Sequence, residues 1–184
     1  MSEAAPSMIP AGNLVVWLGD ISKAIDAGAD SDVPCGDCTV CCRASQFILV
    51  TSTDVAARSV IPSELLFAAP GLPEGNHVMG YDAHGHCPMF RDSGCSIYEQ
   101  RPQACRTYDC RIFAATGIDV SADGRDELAA RVARWQFDLA NDGAELLDAL
   151  QAAGAYVASH TTELGMGAGT TGQAIAAVTR VIEA

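Results

Sequence analysis

Four cysteines fall within eight positions, in the string Cys35-Gly36-Asp37-Cys38-Thr39-Val40-Cys41-Cys42, and no other feature constrains the fold as tightly. Two-residue gaps let a backbone fold over one centre, and Gly36 permits the turn without steric cost. Three thiols, Cys35, Cys38 and Cys41, are thereby set to face one another. Cys42 follows directly; adjacent side chains point apart, so it is expected to serve another site or another edge of a cluster. Four further cysteines, Cys87, Cys95, Cys105 and Cys110, complete the set of eight in a chain of 184 residues. An isolated cysteine is by default a small buried hydrophobe. Four in eight residues at ligand spacing point instead to metal.

The length suits one compact domain, or one with an appended helical piece. With 49% hydrophobic and 18% charged residues, neither disorder nor a fibrous chain is plausible. A net charge of −12 argues against nucleic acid or an anionic membrane as partner. No apolar run approaches the length of a membrane span. The first thirty residues carry Asp20, Asp26 and Asp30 without a basic leading segment, unlike a signal peptide. The expected location is the cytoplasm, where clustered cysteines serve as metal ligands or redox groups rather than disulfides. The charge is unevenly spread: residues 1–34 sum to −4, 35–111 to −2 and 112–184 to −6. Six of the ten arginines (Arg43, Arg58, Arg91, Arg101, Arg106, Arg111) lie in the cysteine segment. Guanidiniums there would offset the charge of metal-bound thiolates, or simply pair with acids such as Glu99 and Asp109.

The pattern predicts an α+β fold: a small irregular cysteine-rich core with a short hairpin, a helical N-terminal segment and a mostly helical C-terminal tail. The expected divisions are 1–30, 31–116 and 117–184, which could pack as one domain. Leu14, Leu18, Ile21 and Ile25 keep helical spacing over 13–27, with Gly28 as a stop. Phe47–Val50 reads as a strand, and Thr53 or Asp54 as the cap of a short helix to about Ser59. Residues 62–85, with Pro62, Pro70 and Pro73, read as an irregular loop. His86–Phe90 and Cys95–Tyr98 flank a turn at Arg91–Gly94 and predict a hairpin. Pro102 should open a helix to about Ala115, stopped by Gly117. Leu128, Val132, Trp135 and Leu139 predict a helix within 124–140, and Asp142 with Glu145 a capping box for the next one. A Gly/Thr linker over 161–172, including Gly165–Gly169, precedes a helix over 173–183.

The second cysteine set is more dispersed. Cys87 and Cys95 flank the hairpin turn and could share a centre. Cys105 and Cys110 are about 140° apart on a regular helix and cannot face one site unless the helix ends between them. Zinc ribbons show two x2 knuckles, whereas only the first set here has that spacing. Three cysteines at x2-x2 with the distant Cys87-Pro88 suit a four-iron cluster better than zinc. Two familiar iron–sulfur runs are broken, since Ser45 stands where the next cysteine would fall. The first centre is expected from Cys35, Cys38, Cys41 and Cys87. Cys42, Cys95, Cys105 and Cys110 would form a second or support the first. His86, in His84-Gly85-His86-Cys87, is a lesser candidate; His77 and His160 read as ordinary histidines. No catalytic serine–histidine–acid set, phosphate loop or carboxylate pair stands out.

The string Cys35-x2-Cys38-x2-Cys41-Cys42-Arg43 resembles the signature of the CxxCxxCC cysteine-cluster family of zinc- or iron-chelating proteins. So does the later block: Cys87-Pro-Met-Phe, then Gly94-Cys95-Ser-Ile97-Tyr98-Glu-Gln-Arg101-Pro102-Gln-Ala-Cys105-Arg106, closed by Cys110. The resemblance covers about residues 35–111 and not the helical tail. It implies a metal partner, iron–sulfur or zinc, bound by the cysteines. Relatives include flagellin lysine methylases, which look like iron–sulfur enzymes with additional sequence. This chain shows no methyl-donor site, so that activity is not carried over. Tyr98, Arg101 and Pro102 match family positions, with packing, a salt bridge and a helix start as their simplest roles. The readings that remain are a metal-binding protein, a metal-dependent redox or protein-modifying enzyme, and a metal storage or delivery protein.

Overall fold

The computed structural model describes residues 7–121, 125–165 and 169–184. The chain begins with strand β1 (Ile9–Asn13) and helix α1 (Leu14–Ala27). A 3₁₀ turn at Val40–Arg43 leads to β2 (Ile48–Val50), α2 (Val55–Val60), β3 (Leu66–Ala68) and β4 (His77–Met79). Next come β5 (Phe90–Arg91), β6 (Gly94–Cys95), α3 (Gln103–Arg106) and α4 (Arg111–Thr116). The last elements are α5 (Asp126–Val132), β7 (Trp135–Asp138), α6 (Gly143–Ser159) and α7 (Thr170–Ile182). Helices with three small sheets make the fold α+β. Among the described residues no helix is long and apolar enough to cross a membrane.

The chain divides into two compact units. The first comprises residues 1–27, 31–34 and 109–184; the second comprises 28–30 and 35–108. In the first unit, Asn13 Oδ1 accepts the Val15 and Val16 N–H groups at 3.1 and 3.2 Å, which caps α1. Leu14, Trp17, Ile21 and Ala24 form the buried stripe of that helix. β1 pairs in parallel with β7, and a bulge between Pro10 and Gly12 interrupts the register. Gly12 adopts φ 90°, which glycine tolerates at no steric cost.

A buried carboxylate organises this unit. Asp109 accepts the indole N–H of Trp17 at 2.9 Å and pairs with Arg111 Nη2 at 2.7 Å. Arg111 in turn donates to the carbonyls of Ala11 and Asp32 at 3.0 and 2.9 Å. One guanidinium thereby ties β1 and the 31–34 segment to α4.

Several sequence expectations need correction. The region 62–85 is not all loop: β3 and β4 lie in it, and the second unit's sheet runs β2-β4-β3, antiparallel throughout. Three-residue strands are too short to show alternation, and Pro62, Pro70 and Pro73 stand between the elements rather than inside them. The hairpin is shorter than expected, with only Phe90–Arg91 pairing Gly94–Cys95, and Asp92 turns at φ 50°. The helix expected from Pro102 to Ala115 breaks into α3 and α4, because the Asp109 carboxylate takes the Arg111 N–H and restarts the helix. Gly117 does end α4, in the left-handed conformation. The helix expected over 124–140 stops at Val132, and Trp135–Asp138 is a strand; its pairing with β1 overrides the helical spacing. Gly124 lies outside the described residues, as do 166–168 of the expected linker. Asp142 precedes α6 at φ 65° without a side-chain cap, so the capping box does not form.

Where α6 crosses α4, a Cβ on Gly154 would collide with the Thr116 backbone carbonyl. Gly154→Ala is expected to destabilise the first unit by about 1–3 kcal/mol, the cost of overpacking a rigid contact. Denaturant unfolding followed by Trp17 and Trp135 fluorescence checks this.

Candidate metal centre

The second unit is built on a modest core of Val50, Ala57, Ile61, Met79, Cys87, Met89 and Ile97, with Cys42 and Cys95 packed against it. Three cysteines therefore belong to the hydrophobic surface on which the others are arranged. The CxxCxxCC string forms two successive turns above it. Cys38 N–H donates to the Cys35 carbonyl at 3.1 Å with Gly36 at φ 55°, and Cys42 N–H donates to Thr39 O at 3.0 Å. The Cys87 N–H then donates to the Cys42 carbonyl at 2.7 Å, and Ser45 N–H donates to Gly85 O at 3.0 Å. These two bonds fasten the knuckle to the loop that carries Cys87.

The third contribution comes from α3, which carries Cys105. Its first N–H, that of Gln103, donates to Asp54 Oδ1 at 2.7 Å. The other carboxylate oxygen of Asp54 accepts the Thr51 N–H and hydroxyl, both at 2.8 Å. Asp54 is buried and makes no side-chain cap for α2, the helix it precedes. It caps α3 instead, 49 positions along the chain. Sequence reasoning missed this role, since Asp54 reads as a local cap and no local signal announces a distant one. Gln103 Nε2 also reaches the Gly28 carbonyl at 3.0 Å, and Arg106 Nε pairs with Asp30 Oδ1 at 3.1 Å, so α3 is anchored at several points.

These connections bring Cys41, Cys42, Cys87, Cys95 and Cys105 into one neighbourhood. A thiol–thiol hydrogen bond with Cys42, followed by burial, pushes the Cys41 thiol well above its ordinary value; the Cys41 and Cys42 N–H groups oppose the rise. Burial pushes the Cys105 thiol up to about 12, aided by the fields of Cys87, Cys41 and Cys95 and opposed by Arg101. Burial also raises Cys87, as do Cys95 and Cys41, while hydrogen bonds from the Met89 and Phe90 N–H groups pull it down. Backbone N–H groups aimed at sulfur favour the thiolate, the form a metal requires. None of the eight cysteines is in a disulfide.

The placement cuts across the expected grouping. Cys41 and Cys87 lie together, but Cys95 and Cys105 share their neighbourhood. Cys35 is exposed and Cys38 half-buried on the same knuckle. Cys110 belongs to the first unit, where Trp135 Nε1 donates to its sulfur at 3.2 Å and Arg131 lies 4.6 Å from the Trp135 ring centre. The helix ends between Cys105 and Cys110, which removes the 140° conflict. Among the described residues no three His, Cys, Asp or Glu side chains stand close enough together to hold a metal ion. The chemistry of the thiols is nevertheless that of a soft-metal donor set: several sulfurs, one of them met by two backbone N–H groups.

The arginines take varied places. Arg101 lies 4.0 Å from the Tyr98 ring centre and donates to the Tyr98 carbonyl at 2.8 Å, while its charge acts on Cys105. Pro102 opens α3 as expected, and Tyr98 is exposed rather than packed.

A family model described as "Putative zinc- or iron-chelating domain", CxxCxxCC, matches residues 34–123. No curated protein and no solved structure gives a significant match. The matched segment contains all eight cysteines and spans the second unit's knuckle, hairpin and α3, then continues through α4 of the first. The match supports metal binding by this segment.

Removing the Asp54 carboxylate orphans the Gln103 and Thr51 N–H groups, each at about 1–3 kcal/mol when buried. Asp54→Ala is therefore expected to lower stability by roughly 3 kcal/mol. It should also reduce metal content while all eight cysteines are retained. Urea unfolding and elemental analysis of the same preparation check both effects.

Proposed function

We propose that the CxxCxxCC segment holds a thiolate-bound metal centre, drawn from Cys41, Cys42, Cys87, Cys95 and Cys105, with Cys35 and Cys38 on the same knuckle. The observation that carries this reading is the packing of Cys42 and Cys95 against a core that contains Cys87, with the Cys87 N–H bonded to the Cys42 carbonyl. Such convergence is costly for buried thiolates unless a cation compensates them. Iron–sulfur is the preferred content. The x2-x2 spacing with Cys87-Pro88 favours it, and five gathered thiols exceed the four that one structural zinc takes. A bound iron–sulfur cluster would supply one-electron transfer, whereas zinc would supply a structural clamp. The chain's own residues do the rest: Asp54 sets the α3 end, Met89 and Phe90 N–H groups support the Cys87 sulfur, and Arg101 offsets charge beside Cys105. The reading places the protein in the cytoplasm, where such thiols stay reduced.

Delivery or storage is the second reading, favoured by the exposure of Cys35 at the outer turn of the knuckle. A centre reachable at one edge exchanges its ion with a chelator faster than a sealed one. An enzymatic role would need a coordination position left open to substrate.

Anaerobic purification, elemental analysis and visible absorption test the proposal. Iron with matching sulfide and a broad visible band is expected. A colourless protein with stoichiometric zinc would overturn the iron–sulfur preference, and a metal-free protein with reactive thiols would overturn the centre itself. Cys87→Ala and Cys105→Ala are expected to lose most of the metal, while Cys110→Ala, in the other unit, is expected to keep it.

A further inference from the structure

The loop that precedes Cys87 carries two histidines whose backbone is held by one carboxylate. Asp82 Oδ1 accepts the backbone N–H groups of both His84 and His86, at 2.8 and 2.9 Å. The backbone closes the same loop: Asp82 N–H donates to His86 O at 2.8 Å, and Gly85 N–H to Asp82 O at 3.0 Å. Gly85 sits at φ 78°, a conformation glycine adopts without strain. Both rings project from this fixed turn with centres 6.0 Å apart, and the His86 ring also stands edge-on to Phe90 at 5.5 Å. His84 is exposed and His86 half-buried. The loop is tied to the knuckle by the Ser45–Gly85 bond, and His86 is one residue from Cys87.

We propose that His84 and His86 form a two-imidazole docking site for a divalent first-row transition-metal ion, from which the ion passes to the neighbouring thiols. This rests on the metal-centre reading above. Imidazole nitrogen is a ligand suited to first-row divalent ions such as zinc and iron. Two donors leave the remaining coordination positions to water, so the ion is captured weakly and released readily. The cysteines offer the opposite combination, more donors and softer ones. In the transfer the ion leaves the two imidazole nitrogens, which keep their lone pairs. Each metal–sulfur bond formed sends one thiol proton to solvent, and no electrons change hands. The Asp82 carboxylate, whose pKa is lowered by the His86 N–H hydrogen bond first and then by the His84 N–H, adds negative charge at the loop.

The probe is Co²⁺, whose sulfur-to-metal absorption reports thiolate ligation directly. Reduced, metal-free full-length protein is mixed with substoichiometric Co²⁺ under anaerobic stopped flow. The His84→Ala/His86→Ala variant is expected to reach the same final spectrum about tenfold more slowly, the size of effect that supporting groups exert at metal sites. His160→Ala, which alters a histidine of the other unit, should leave the rate unchanged. Equal rates in the wild type and the double variant would overturn the docking site. So would a weaker or shifted final spectrum in the double variant, since the imidazoles would then be ligands of the centre itself. Absence of any thiolate band in both proteins would instead remove the metal-centre reading, and the docking site with it.

Discussion

In the cysteine unit, the hydrogen bond from the Cys87 N–H to the Cys42 carbonyl fixes which sulfurs can meet. The Ser45–Gly85 bond and the packing of Cys42 against the core complete the seating of the CxxCxxCC string. With these in place, Cys41 and Cys42 are held over the segment that begins the hairpin, and Cys95 follows through the Phe90–Cys95 pairing. The apolar core of this unit is small, and its strands are two or three residues long. Hydrophobic burial of that extent cannot by itself position five sulfurs, so directed bonds carry the geometry. The Asp54 carboxylate does for Cys105 what the Cys87 amide does for Cys41. Both act through backbone groups rather than through sulfur.

The two units solve the problem of burying charge differently. In the first, Asp109 and Arg111 neutralise each other, and the remaining hydrogen-bonding positions are taken by Trp17, Ala11 and Asp32. Such a pair is permanent and asks for no outside partner. The cysteine unit instead gathers groups of one sign when ionised, with Arg101 as a partial offset. A set of that kind is comfortable only when its thiols are protonated or when a cation sits among them. The first network reads as architecture, the second as a receptor.

Much of this was legible in the sequence, but unevenly. Residues 14–27 form a helix because their apolar spacing and the Gly28 stop agree. The α+β class, the turn at Gly36 and the stop at Gly117 followed from local chemistry in the same way. Trp135 failed because its helical phase with Leu128 and Val132 is real, yet β1 was unrecognised and offered it a parallel partner. The strands at Leu66 and His77 are too short for any period to register. At the centre, residue types sufficed to nominate cysteines but not to group them. Cys95 and Cys105 reach Cys41 and Cys87 through Asp54 and the Cys42–Cys87 bond, which join positions about 45 to 50 apart in sequence. Nothing in a local window encodes those joins.

The division of the chain has one more consequence. The first unit is discontinuous: its β1 and α1 precede the cysteine unit, and its remaining helices and β7 follow it. The cysteine unit is thus a guest threaded into the host's sequence. To pair β1 with β7, the host must close a loop that contains the whole guest. Loop entropy grows slowly with length, at about 0.6 kcal/mol per doubling, so an unfolded guest taxes the host only lightly at equilibrium. Kinetics is more sensitive, because distant strands must find each other through the intervening chain. Ordering the guest first shortens the stretch of loose chain through which the host's two strands must meet.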